Sequence, residues 1–177
     1  VVQLNTNSGT QVDSLRYTSD WGGSDVALER RSATTPSIYQ ENWGDSPNAN
    51  GGSPGRSNEI AQDNTAPQLS GLRIVSNQIL KLAFDERLES SSAADVSNYS
   101  ITGSSINSAT PTEADSVELS LGSNLQNAQS YTISISGIQD IFENAVSSID
   151  TSITYYNPTP VDSGDVAINE FMSAPPS

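Results

Sequence analysis

Tyr131-Thr132-Ile133-Ser134-Ile135-Ser136 alternates large apolar and small polar residues one by one. A period of two puts Tyr131, Ile133 and Ile135 on one face of an extended strand and the hydroxyls on the other. An antiparallel strand with one face on a core and one in water needs that pattern. Runs of the same kind recur outward from it. Leu80, Leu82 and Phe84 alternate with Lys81 and Ala83, and Val117, Leu119 and Leu121 alternate with Glu118 and Ser120. Leu72 with Ile74, Tyr99 with Ile101, Ile106, and Ile149 with Ile153 and Tyr155 bring the expected strands to seven. Gly, Asn, Asp and Ser turns divide them at the spacing of a β-sandwich. From Asp63 to Tyr156 the chain therefore reads as one complete antiparallel sandwich, and the fold class is all-β. One helical turn is expected within Ser90–Val96, with Ser91 or Ser92 as its cap.

The flanks read as partial β-sandwich segments. Residues 1–58 hold three strand-like runs, Val1–Leu4, Gln11–Tyr17 and Val26–Arg31. The pattern then dissolves into Pro, Ser, Asn and Gly, with Ile38, Tyr39 and Trp43 as the large anchors. Gly51-Gly52-Ser53-Pro54-Gly55 is a strong turn signal. Residues 59–66 form a polar linker to the sandwich, 67–157. Asn157-Pro158-Thr159-Pro160 leads into a stiff linker, 158–163, and 164–177 carries one more strand, Asp165–Phe171. Both flanks are short for an independent β-domain. The chain opens Val1-Val2-Gln3-Leu4, with neither an initiator Met nor a signal peptide, so we expect a segment of a longer modular protein.

Composition narrows the function. The 177 residues include no Cys and no His, which removes thiol nucleophiles, imidazole bases, the common zinc sites and disulfides. A cysteine-free β-module points to a bacterial or otherwise disulfide-independent setting. The net charge is −14, and Lys81 is the one lysine beside six arginines. No basic patch exists to displace phosphate counterions, so nucleic acid and anionic membrane are poor partners. No apolar run has the length of a membrane span.

Several motifs in combination carry a family resemblance. Asp63-Asn64-Thr65-Ala66-Pro67 opens the segment. A strand ends Leu80-Lys81-Leu82-Ala83-Phe84-Asp85-Glu86. Ala94 to Ile101 contains Asn98-Tyr99. Tyr131 to Asp140 is followed by Asn144. Residues 67–157 thereby resemble bacterial immunoglobulin-like domains of the type found in surface-layer proteins. That resemblance implies an immunoglobulin-like sandwich, an extracellular or cell-surface location and no catalytic role. Where the family usually has Gly just before the Asn, this chain has Glu143. Residues 1–58 resemble the C-terminal half of a bacterial lamin-tail domain, through Val12–Tyr17, Trp21, Ala27–Arg31, Asn42-Trp43-Gly44 and Gly51–Asn58. A segment resembling the opening of such a domain stands at the far end, Gly164–Met172.

The acidic clusters have open readings. Asp85, Glu86 and Glu89 are a Ca²⁺ site, a general acid/base pair, or a solvated strand end partly neutralised by Arg87. Asp140 and Asn144 form either a cation-binding turn or an Asx turn that satisfies loop N–H groups. Asp63 is the third ligand in the first case. The metal candidates are thus Asp63, Asp85, Glu86, Asp140 and Asn144, with calcium as the one cofactor they suit. We expect no catalytic residue. Arg30 is placed to pin a loop by pairing with a carboxylate. Trp21, Tyr39 and Trp43 are either a sugar-binding platform or a thin core.

The expected function is a non-catalytic structural or adhesive module of a larger bacterial surface or secreted protein. The alternative is a carbohydrate- or cell-wall-binding accessory region of a secreted hydrolase. Neighbouring domains of the same polypeptide are the expected partners. An open sheet edge also invites strand exchange with another copy through residues 165–171.

Overall fold

A computed structural model describes residues 1–157. The expected linker 158–163 and the strand at 165–171 lie outside the described residues.

Residues 1–58 form two small antiparallel pairs. In the first, β1 (Val2–Asn5) pairs with β2 (Gln11–Leu15), with Val2 opposite Leu15 and Leu4 opposite Asp13. In the second, β3 (Leu28–Arg30) pairs with β4 (Trp43–Asp45). Periodicity gave no sign of β4, because Gly44 and Asp45 are poor strand residues. Tertiary packing overrides that preference. Glu29 lies opposite Gly44, and a Cβ on Gly44 would stand 2.7 Å from Ile60 Cδ1. The expected run Val26–Arg31 is a strand only over Leu28–Arg30.

The sandwich holds seven strands, as the alternation requires. They are β5 (Leu69–Ser76), β6 (Ile79–Phe84), β7 (Tyr99–Ile101), β8 (Ile106–Glu113), β9 (Ser116–Leu121), β10 (Gln129–Ile135) and β11 (Ile149–Tyr155). One sheet has the order β5-β6-β9-β8 and the other β11-β10-β7. Every pairing is antiparallel. Pro111 is tolerated in β8 because that strand is a sheet edge. Leu80, Leu82, Val117, Leu119 and Ile133, the alternating apolar set, have no exposed surface. Burying each such side chain is worth about 1.5–3 kcal/mol.

Among the described residues the one α-helix is a single turn, α1 (Ser90–Ala94), and its cap is not the expected serine. The Glu89 carboxylate folds back to accept the N–H groups of Ser91 and Ser92, each at 2.8 Å. Ser92 Oγ is engaged elsewhere. It donates to Glu89 O and accepts from Gln139 N at 3.0 Å, tying the helix to the loop after β10.

Candidate metal centre

The chain leaves the sheets at three points that meet at one end of the sandwich. β6 ends at Phe84, so Asp85 and Glu86 follow directly. β10 ends at Ile135, and the loop beyond it delivers Asp140. The segment before β5 contributes Asp63. Asp63, Glu86 and Asp140 each present a carboxylate oxygen within 4.8 Å of the others. These three residues are far apart in sequence, and two separate acidic motifs supply them.

Asp140 is fully buried, and its environment is specific. Oδ1 accepts the N–H groups of Phe142 and Asn144, each at 2.8 Å. Oδ2 accepts Asn144 Nδ2 at 2.7 Å, and the same Nδ2 also donates to the carbonyl of Asp63 at 3.2 Å. The Asx-turn reading therefore describes the local geometry, while Asp140 also faces two further carboxyls. Asn144 uses its side-chain nitrogen as a tether and fixes the linker to the turn.

Glu86 carries the electrostatic consequence. Its carboxyl is pushed up to about 7. Burial comes first, followed by the negative charges of Asp140, Asp63 and Asp85 and a hydrogen bond with Asp140. Three acids in one half-buried pocket favour either a shared proton or a cation. Asp85 stands outside this group, because its Oδ1 accepts Gln68 N at 2.8 Å and fixes the start of β5. Glu89 is occupied as the helix cap. The five metal candidates thus divide into three converging carboxylates, one tether and one strand anchor. The donor set, carboxylate oxygens without nitrogen or sulfur, is the chemistry a hard cation such as Ca²⁺ takes.

A family model for the bacterial Ig-like domain matches residues 60–156. The chain belongs to the bacterial Ig-like domain family. Solved structures share the Ig-like fold. The N-terminal part of the bacterial S-layer protein SbsC is 20% identical with a TM-score of 0.51, over 55% of this chain and 25% of that one. A structure of SbsC domains 1-6 is 20% identical with a TM-score of 0.50, over 55% of this chain and 14% of that one. The likeness thus spans a quarter or less of those chains. No curated protein matches this Ig-like chain.

Residues 1–58 meet the Ig-like domain at the same end as the three acids. Thr35 Oγ1 donates to Ile141 O at 3.0 Å, inside the Asp140–Asn144 turn. Arg87 Nε donates to Glu41 Oε1 at 3.0 Å, and its guanidinium lies 4.9 Å from the centre of the Tyr39 ring.

Two buried polar groups organise residues 1–58, and sequence reading missed their role. Glu29 accepts Ser46 and Ser53 hydroxyls on Oε1 and the Glu59 and Ile60 N–H groups on Oε2. The Ser53 hydroxyl leads the hydrogen bonds that hold its carboxyl down to about 2, against an opposing burial contribution. Asn42 is fully buried, with Oδ1 accepting Ser32 N and Nδ2 donating to Ser32 O and Thr35 O. Glu29 pins the loops. Its neighbour Arg30 does so too, as its pairing with a carboxylate requires, through a 3.5 Å ion pair with Asp13 and a hydrogen bond donated to Thr35 O. Glu29 and Asn42 stand in the sequence only as parts of motifs. The aromatic residues do not form an exposed row. Trp21, Tyr39 and Trp43 are half-buried, Tyr39 is covered by Arg87, and Trp43 Nε1 donates to Ser37 O at 2.8 Å. Among the described residues no helix is long and apolar enough to cross a membrane.

Proposed function

We propose that this chain is a non-catalytic spacer from a larger bacterial surface or secreted protein, and that Ca²⁺ stiffens its joint. The observation that carries the reading is where Asp63, Glu86 and Asp140 converge. They meet where the linker enters the sandwich and where Thr35 and Arg87 join the two parts. A cation held by all three would cross-link the linker, the end of β6 and the turn after β10. It would also relieve their mutual repulsion. Family membership and the fold shared with S-layer protein domains support an extracellular or surface setting. The motif resemblance supports residues 1–58 as the back half of a lamin-tail domain, with the buried Glu29 and Asn42 as the groups that hold it together.

Calorimetric titration with CaCl₂ at pH 7.5 tests the joint. One saturable site is expected in the native chain and none in Glu86→Gln. A flat native titration would remove calcium from the proposal and leave a plain spacer.

A further inference from the structure

The β1–β2 hairpin is unlike the rest of the surface. Eight large hydrophobic residues are exposed among the described residues, and five of them, Val1, Val2, Leu4, Val12 and Tyr17, lie in or beside this hairpin. Val2, Leu4 and Leu15 share one face by register, and with Trp43 they line a groove of about 150 Å³. The groove is almost wholly apolar, yet Val2 and Leu4 remain 56% and 61% exposed. The hairpin is a two-stranded sheet, so both strands also have an edge unpaired among the described residues. An apolar face beside an open edge suits an added β-strand, whose backbone pairs with the edge and whose alternate side chains fill the groove.

The sequence carries a segment of that pattern. Asp165-Val166-Ala167-Ile168-Asn169-Glu170-Phe171 places Val166 and Ile168 at alternate positions with Asp165 and Glu170 as charged flanks. The path of β11 bears on whose copy supplies it. The joint lies at the Ile135–Ile149 end of the sandwich, and β11 carries the chain to Tyr155, opposite Gln129 at the other end. Seven strand residues span about 20 Å. Residues 158–165 reach at most about 28 Å even when fully extended. That length returns the chain about as far as the joint, and the hairpin lies beyond it. Among the described residues no hydrogen bond or ion pair ties the hairpin to the sandwich. It hangs from Ser37 and Arg30, beyond the joint.

We propose that the groove between Trp43 and the β1–β2 hairpin receives residues 165–171 of a second copy of this chain. The contact is head-to-tail, because the acceptor lies beyond the joint and the donor follows the far end of β11 in the chain, so it propagates into a linear array. This goes beyond the spacer reading, which stands whether or not the array forms. Two chains of charge −14 repel one another, so screening by salt favours the contact.

Light-scattering mass measurements on the full chain at high ionic strength, over a range of concentrations, test the proposal. The native chain is expected to grow beyond twice the monomer mass as concentration rises. Leu4→Asp removes the acceptor and Ile168→Asp the donor. Each variant alone should stay monomeric with an unchanged circular dichroism spectrum, since Leu4 is exposed in the monomer. A mixture of the two should regain one contact and stop at twice the monomer mass. A native chain that stays monomeric at every concentration would overturn the proposal. So would assembly that survives Ile168→Asp, which would show hairpin-to-hairpin contact instead.

Discussion

Asn144 holds Asp140 and the chain leading into the sandwich together. Its Nδ2 lies 2.7 Å from Asp140 Oδ2 and 3.2 Å from the carbonyl oxygen of Asp63. One amide therefore couples a buried carboxylate to the linker, 81 residues away in sequence.

Removing that amide leaves Asp140 short of a donor in a buried site. Asn144→Ala should lower unfolding stability by about 1–2 kcal/mol, the usual cost of an unsatisfied buried polar group. Asp140→Ala should cost more, because the Phe142 and Asn144 N–H groups lose their acceptor as well. Urea unfolding followed by tryptophan fluorescence and circular dichroism measures both. Equal effects for the two variants would mean that Asn144 is the whole of the interaction.

Glu86 makes the joint sensitive to pH. Its folded value, about 7, lies above its ordinary 4.5, so the folded state binds the proton more tightly than the unfolded one. The contribution is fully present below about pH 4.5 and is lost as pH rises through about 7. Without added cation, thermal melts should show this decline between those limits. Glu86→Gln should flatten it, because the amide is neutral throughout. Saturating Ca²⁺ should recover stability on the alkaline side, where all three carboxyls are ionised.

Glu29 acts in the opposite direction. Its folded value of about 2 lies below its ordinary 4.5. Its contribution is therefore present above pH 4.5 and lost as pH falls toward 2. Glu29→Gln should make residues 1–58 protease-sensitive at neutral pH, while the sandwich keeps its resistance. Limited proteolysis with mass spectrometry separates the two regions. A single cooperative loss of both would tie the sandwich to Glu29.

Glu143 adopts φ 71°, a left-handed conformation that a β-carbon resists. Glycine adopts that conformation without steric cost. Glu143→Gly should therefore stabilise the sandwich by about 1 kcal/mol, after allowing for glycine's larger unfolded-state entropy. The midpoint of urea unfolding should rise without a change in slope. A lower midpoint would mean that the Glu143 side chain contributes more than its backbone costs.

The strands of the sandwich were legible because period-two alternation is a local property. Tyr131, Ile133 and Ile135 had to share a face, and they are 3%, 0% and 1% exposed. β4 was not legible. Gly44 and Asp45 form a strand by pairing with Glu29 and Leu28 of β3, a partnership that local residue types do not signal. The helix cap also escaped a local rule, since Ser92 Oγ is bound to the distant Gln139 and leaves the cap to Glu89. Motif spacing pointed to Asp140, Asn144, Asp85 and Glu86, but not to which of them converge.

The sequence by itself determined an all-β, cysteine-free, acidic Ig-like sandwich and the residues of its core. Alternation, composition and charge require no knowledge of which strands meet. Only the tertiary structure decided that Asp63, Glu86 and Asp140 share one pocket while Asp85 and Glu89 turn to backbone N–H groups. It also decided that β11 ends at the far end of the sandwich from the joint. These relations depend on how separate segments cross in space, and no local pattern of residue types encodes that.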